Sequence, residues 1–139
     1  MKKKLSIIGL GYVGLPLAMA FEKHYKVIGY DVLKDRISQL KIGNDKNNEF
    51  SKKEIFSSKN LKLTDNISDT KNSDIFIITV PTPIFKNNLP NLNYLKKACQ
   101  QVGENIKKNS IIIFESTVYP GCTEDFCVPI IEKISKKKI

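Results

Sequence analysis

Gly9-Leu10-Gly11-Tyr12-Val13-Gly14 is the stretch on which the fold turns. It follows a short, mostly apolar run, Leu5 to Ile8, and opens a segment in which Val13, Leu17, Ala20 and Phe21 recur at helical spacing. A GxGxxG between a strand and a helix gives each glycine a mechanical reason. Gly9 permits the tight turn, Gly11 lets the backbone come close to a pyrophosphate, and Gly14 lets the helix pack against the strand. The helix N-terminus then meets the phosphates with unpaired amides and the positive end of its dipole. Asp31 stands 17 residues after Gly14, at the end of a β-branched run from Lys26 to Tyr30. A carboxylate there can accept hydrogen bonds from the adenosine ribose and repels a 2′-phosphate, so the pattern predicts a dinucleotide site that prefers NAD to NADP. Lys34 and Arg36 are the cations an NADP site would use, and both fit equally well on the exposed face of a second helix.

Outward from this unit, strands and helices alternate. Leu33, Ile37 and Leu40 mark the second helix, which Gly43 can close in the left-handed conformation. Residues 44–59 are polar and read as a loop with a short helix around Ser51 to Phe56, where Ser51 and Glu54 form a capping box. Leu61 to Thr64, Asp74 to Val80 and Ser110 to Glu115 read as strands three, four and five. Between the last two, Leu92, Leu95, Cys99, Val102 and Ile106 trace one apolar helical stripe, and Phe126, Cys127, Ile130, Ile131 and Ile134 trace another near the end. Parallel neighbours need crossovers of a dozen or more residues, usually helical. The expected architecture is therefore one α/β domain over residues 1–139, a Rossmann-type doubly wound parallel sheet in the order 3-2-1-4-5, with its ligand crevice between strands one and four.

Composition excludes several classes. The longest apolar runs, Ile75 to Val80 and Ile111 to Phe114, are strand-sized and far short of the roughly 20 residues of a membrane-spanning helix. Gly9 and Gly11 interrupt the first apolar run and no small-residue cleavage site follows it, which argues against a secretory signal. Cys99, Cys122 and Cys127 have neither metal-ligand spacing nor a histidine cluster beside them, so no metal is expected, and reduced thiols in a cytoplasm fit best. Cys99 and Cys127 fall on the apolar stripes and read as core, while His24 reads as a solvated group near the end of the first helix. Of the formal charge of +9, Lys2, Lys3, Lys4, Lys136, Lys137 and Lys138 supply six. Lysine blocks at both ends read as solvated tails, not as a nucleic-acid surface.

The glycine motif continues as Leu15-Pro16-Leu17-Ala18, and GxGYVGLPLA resembles the opening of the UDP-glucose/GDP-mannose dehydrogenase family. Val80-Pro81-Thr82-Pro83 resembles that family's VxTP segment after strand four, and Glu115-Ser116-Thr117-Val118-Tyr119-Pro120-Gly121 its ESTVxPG segment after strand five. These forms are more similar to the branch that oxidises UDP-N-acetylhexosamines than to the UDP-glucose enzymes. The resemblance implies a cofactor site in which Gly9 makes the turn, Gly11, Tyr12, Val13 and Gly14 hold the pyrophosphate, Asp31 and Arg36 the adenosine end, and Thr82, Pro83 and Thr117 the nicotinamide side, with Thr117 a possible catalytic auxiliary. Cys122 stands where a threonine is more usual and invites reading as a nucleophile. The resemblance assigns that part to a cysteine in a later GxGGxCxxKD segment, which these 139 residues do not contain. It thus implies the NAD-binding part of a longer enzyme, with the central helix and UDP-sugar-binding domain outside this chain. That enzyme would oxidise C6 of a UDP-sugar from alcohol to aldehyde to acid with two NAD, for surface polysaccharide synthesis. Full-length members pair as homodimers through the central helix, so no dimer is expected of this stretch, nor any turnover. Three other readings stay open: a UDP-glucose 6-dehydrogenase, a dehydrogenase of small β-hydroxyacids, and an NAD-binding regulatory module without chemistry.

Overall fold

A computed structural model describes residues 3–139. Lys2, part of the N-terminal lysine block, lies outside the described residues. Five parallel strands form one sheet in the order β3-β2-β1-β4-β5, with β1 at Lys4–Ile8, β2 at Lys26–Tyr30, β3 at Leu61–Thr64, β4 at Ile75–Ile78 and β5 at Ile111–Phe114. The helices are α1 at Gly14–Phe21, α2 at Lys34–Lys41, α3 at Lys52–Ser57, α4 at Asn93–Asn105 and α5 at Val128–Ser135. Both the expected strand order and the crossover helices are present.

Alternation along each strand decides which layer covers it. Leu5, Ile7, Val27 and Ile77 point to one face, where they meet Leu15 and Ala18 of α1, Ile37 and Leu40 of α2 and Ile55 of α3. Ile8, Tyr30, Phe76 and Ile78 point to the other, against Leu95, Ala98, Cys99 and Val102 of α4 and Ile131 of α5. β5 is an edge strand, and Ile111 and Ile113 on its α1 side stay exposed. Gly43 closes α2 at φ +78°, and the capping box of Ser51 with Glu54 opens α3, both as the sequence predicts.

Local departures have physical causes. Strand four ends at Ile78 rather than Val80, because Thr79 turns its hydroxyl to the carbonyls of Gly9 (2.7 Å) and Ile8 (3.2 Å). A 3-10 turn, Ile67–Thr70, follows β3, and a π-helical turn, Thr123–Cys127, precedes α5. Neither has a signature in hydrophobic spacing. Lys4 is no solvated tail: it belongs to β1, and its Nζ donates to the carbonyls of Asp69 (2.8 Å) and Lys71 (2.7 Å). Lys3, Lys136, Lys137 and Lys138 are exposed, as expected.

At Gly14 a β-carbon would sit 1.8 Å from the Gly9 carbonyl oxygen and 2.6 Å from Thr79 Oγ1, both part of the packed turn. At Gly11 it would meet nothing within 4 Å. Chemical denaturation should therefore show Gly14→Ala destabilised by about 3 kcal/mol through overpacking, while Gly11→Ala stays within about 0.5 kcal/mol of the parent.

Candidate functional site

The turn from β1 into α1 is held from three sides. Gly9, at φ +101°, donates its amide to the Tyr30 carbonyl at 2.8 Å, so the turn is sewn to the end of β2. Such a backbone conformation favours glycine. Asp31 accepts from the Leu10 amide at 2.8 Å through one carboxylate oxygen and from the Leu33 amide at 2.9 Å through the other. Arg36 Nε donates to the Leu10 carbonyl at 2.8 Å. With the turn so fixed, the amides of Gly11, Tyr12 and Val13 donate to no group among the described residues, and no side chain caps α1.

These amides open onto a groove of about 550 Å³ between the C-terminal ends of β1 and β4. Gly9, Gly11, Tyr12 and Val13 form one wall, and Tyr30, Asp31, Val32 and Leu33 form the β2 end. Thr82, Glu115, Ser116 and Thr117 form the β4–β5 end. Of the residues expected from sequence, Gly9, Gly11, Tyr12, Val13, Asp31, Thr82 and Thr117 come together here. Gly14 is buried behind the wall under the Gly9 carbonyl, Pro83 lies in the exposed loop beyond Thr82, and Arg36 lines a separate hollow of about 410 Å³ beside Val32 and Leu33.

Arg36 does not lie on the exposed face of α2, as its helical position would allow. Its side chain is 10% exposed, and Nη1 pairs at 2.8 Å with the fully buried carboxylate of Asp45. A buried guanidinium without a partner would be costly, and Asp45 supplies one. Asp45 comes from the polar stretch after α2, and the Asn47 (3.1 Å), Glu49 (3.0 Å) and Phe50 (3.3 Å) amides also donate to it. Burial works to raise its pKa, but the Arg36 hydrogen bond and the Asn47 and Glu49 amides outweigh it and hold the carboxyl below its ordinary range. Arg36 Nη2 is buried and has no hydrogen-bond partner.

At the far end, Thr82 Oγ1 donates to the Thr117 carbonyl at 2.5 Å and Ser116 Oγ donates to the Val80 carbonyl at 2.6 Å, which ties the two loops together. The Thr82 proton is thereby used within the chain. The Thr117 hydroxyl makes no hydrogen bond among the described residues, so it is the freer of the two expected threonines. Sequence reading missed the fourth wall, Tyr94, Lys97, Ala98 and Gln101 of α4. Their spacing of three and four was a signal, but it runs along the flank of a stripe read only for its core face. Thr79 was missed as well, because a threonine closing a strand has no motif of its own.

A family model described as the NAD binding domain of the UDP-glucose/GDP-mannose dehydrogenase family matches residues 3–139. The chain belongs to this family. It is 49% identical over 132 residues to a UDP-N-acetyl-D-glucosamine 6-dehydrogenase of Salmonella typhi, covering 95% of this chain and 31% of that protein. It is 46% identical over 135 residues to Protein CapL of Staphylococcus aureus, covering 97% and 32% respectively. Among solved structures, a UDP-D-ManNAc dehydrogenase from Pyrococcus horikoshii superposes with a TM-score of 0.87 at 34% identity, over 98% of this chain and 33% of that one. The chain thus spans about a third of the length of the relatives it matches. Its cofactor is NAD, and the open Cβ position of Gly11, with free amides beside it, fits a diphosphate.

The three cysteines of this family member are buried together in the core, and none of them lines the groove. Burial pushes the Cys99 thiol far above its ordinary range and the Cys127 thiol up to about 11. Among the described residues no cluster of side chains could hold a metal ion, and no helix is long and apolar enough to cross a membrane.

Two outcomes follow from this chemistry. Because the folded-state pKa of Asp45 is lowered, its contribution to stability is complete above the unfolded-state value of about 4 and is lost as pH falls through the folded value. Urea midpoints of the parent and of Asp45→Asn should differ by a constant amount near neutrality and converge below about pH 4. A gap that widens in acid would contradict the assignment. Iodoacetamide should leave all three thiols unmodified in the native domain at pH 8 and alkylate them once urea unfolds it.

Proposed function

We propose that this domain holds NAD across the β1–β4 crevice for the oxidation of C6 of a UDP-sugar by a longer protein, with a UDP-N-acetylhexosamine as substrate. The single observation that carries the NAD site is the glycine turn. Three free amides at the start of α1 face open space at Gly11, with the Asp31 carboxylate at one end and the tied loops of Thr82 and Thr117 at the other.

Gly11, Tyr12 and Val13 receive the diphosphate through their amides, and the α1 dipole favours its charge. Gly9 and Gly14 shape the turn that presents those amides. Asp31 spends one hydrogen bond per carboxylate oxygen on the chain and keeps lone pairs for ribose hydroxyls. Arg36 is a positioning residue that braces the Leu10 carbonyl, and its charge is already met by Asp45. With Arg36 paired to Asp45 and the Asp31 carboxylate at the ribose end, a 2′-phosphate meets repulsion from Asp31 and finds no free guanidinium, which supports NAD over NADP. The Thr117 hydroxyl is free to orient the nicotinamide or a water, Thr82 fixes the loop that carries it, and Pro83 stiffens the chain beyond. When bound, NAD supplies the hydride acceptor.

The substrate class is supported by the relatives' names. Those that share 46–49% of residues with this chain include UDP-N-acetyl-D-glucosamine 6-dehydrogenases of Pseudomonas aeruginosa and Salmonella typhi. UDP-N-acetyl-D-mannosamine dehydrogenases follow at 34–37%. A UDP-glucose dehydrogenase from Pyrobaculum islandicum shares the fold at 26% identity, which keeps a UDP-glucose substrate as the second reading. All three cysteines of this chain are buried away from the groove, so the thiol chemistry of acid formation needs residues outside it. The longer protein would work as a homodimer in the cytoplasm.

Calorimetric titration of the 139-residue domain tests the proposal. NAD should bind one to one, NADP at least tenfold more weakly, and Gly11→Val should weaken NAD by roughly a hundredfold, about 2.7 kcal/mol, without loss of fold. Equal affinity for NAD and NADP would sink the assignment of Asp31. NADH production from any UDP-sugar by this chain alone would sink the division of labour.

A further inference from the structure

Asp31 directly follows β2, and the last residue of the strand, Tyr30, points to the opposite face of the sheet from α1, toward α4. There Gln101 Nε2 donates to Tyr30 Oη at 2.8 Å, and both residues line the groove at its β2 end. Tyr30 is 4% exposed. Its own proton is donated to no group among the described residues, and Gln101 Oε1 accepts from none. The pair therefore presents a free acceptor and a free donor on adjoining side chains, at the end of the groove that Val32, Leu33 and Ala98 also line.

We propose that Gln101 and Tyr30 read the adenine edge of the cofactor. The inference rests on the NAD reading above and deepens it. With the ribose at Asp31, the base joined to it would enter the end of the groove that Tyr30 and Gln101 line. Adenine has apolar faces and one polar edge, on which an exocyclic amine that donates sits beside a ring nitrogen that accepts. A carboxamide oxygen beside a hydroxyl proton is the complement of that edge: the oxygen accepts from the amine, as in the common pairing of glutamine with adenine, and the phenol takes the place of the second donor. Val32 and Leu33 are large, apolar and about half exposed, as walls awaiting a planar partner would be. The bland alternative is that Gln101 exists only to satisfy a buried phenol. In that case its loss lowers stability and weakens every nucleotide alike.

The comparison of NAD with its 1,N6-etheno analogue, in which that edge is blocked, separates the two. Calorimetry on the parent domain should show NAD bound roughly tenfold or more tightly than the analogue, and Tyr30→Phe and Gln101→Ala should each bring the two ligands within about threefold. Gln101→Ala also makes room, so relief of a clash could mimic the effect, but Tyr30→Phe removes one oxygen and nothing else. Thermal melts establish that both variants are folded. A parent that does not distinguish the ligands, or variants that keep its full preference, would overturn the proposal. A parent that binds neither ligand would overturn the dinucleotide reading beneath it.

Discussion

Helix α1 begins where it does only because Gly14 carries no side chain. Any β-carbon there would lie 1.8 Å from the Gly9 carbonyl oxygen, far inside van der Waals contact. That close approach sets the height at which the first turn of α1 meets the sheet, and so aims three free amides between β1 and β4. Thr79 uses the same carbonyl, donating to it from the end of β4. Sheet, helix and groove meet at one oxygen atom, which is why neither the turn nor the split between the strands can relax independently.

Around this point the chain builds a clamp out of charges. Asp31 holds the amide of Leu10 and Arg36 holds its carbonyl, so a single residue of the turn is gripped by opposite charges through the two peptide units that flank it. Arg36 could not be buried without Asp45, nor Asp45 without Arg36 and the amides of its own loop. The electrostatic result is asymmetric. The guanidinium is compensated, whereas Asp31 faces the groove with its charge met only by backbone amides. The β2 end of the groove is thus anionic despite the basic side chains of α2 close by.

The other end is organised without charge. Hydroxyl-to-carbonyl bonds from Thr82 and Ser116 bind the β4 and β5 loops to each other. Behind them the three thiols fill space in the core under α4 and α5, where burial raises the pKa of Cys99 and Cys127. None of the three sulfur atoms lines the groove.

Much of this was legible in the residues. The 3.6-residue and 2-residue periodicities gave the strands, the crossover helices and hence the strand order, because in parallel α/β chains connection length and handedness leave few alternatives. GxGxxG followed by Asp31 located the crevice, since both depend on backbone geometry that only certain residues allow. What stayed hidden were the long-range pairings between residues that carry no motif. Arg36 looked like one more cation on a polar helix face until Asp45, from an unremarkable loop, drew it inside. Thr79 became a tie between β4 and the glycine turn only across 70 residues of chain. Gln101 was the solvent side of an amphipathic helix until packing set it against Tyr30, 71 residues away. Periodicity reports which way a side chain points from its own element, and so it determined the fold and the place of the site. Which polar atoms meet across that site depends on the distances between elements, and those only the packed sheet and helices decide.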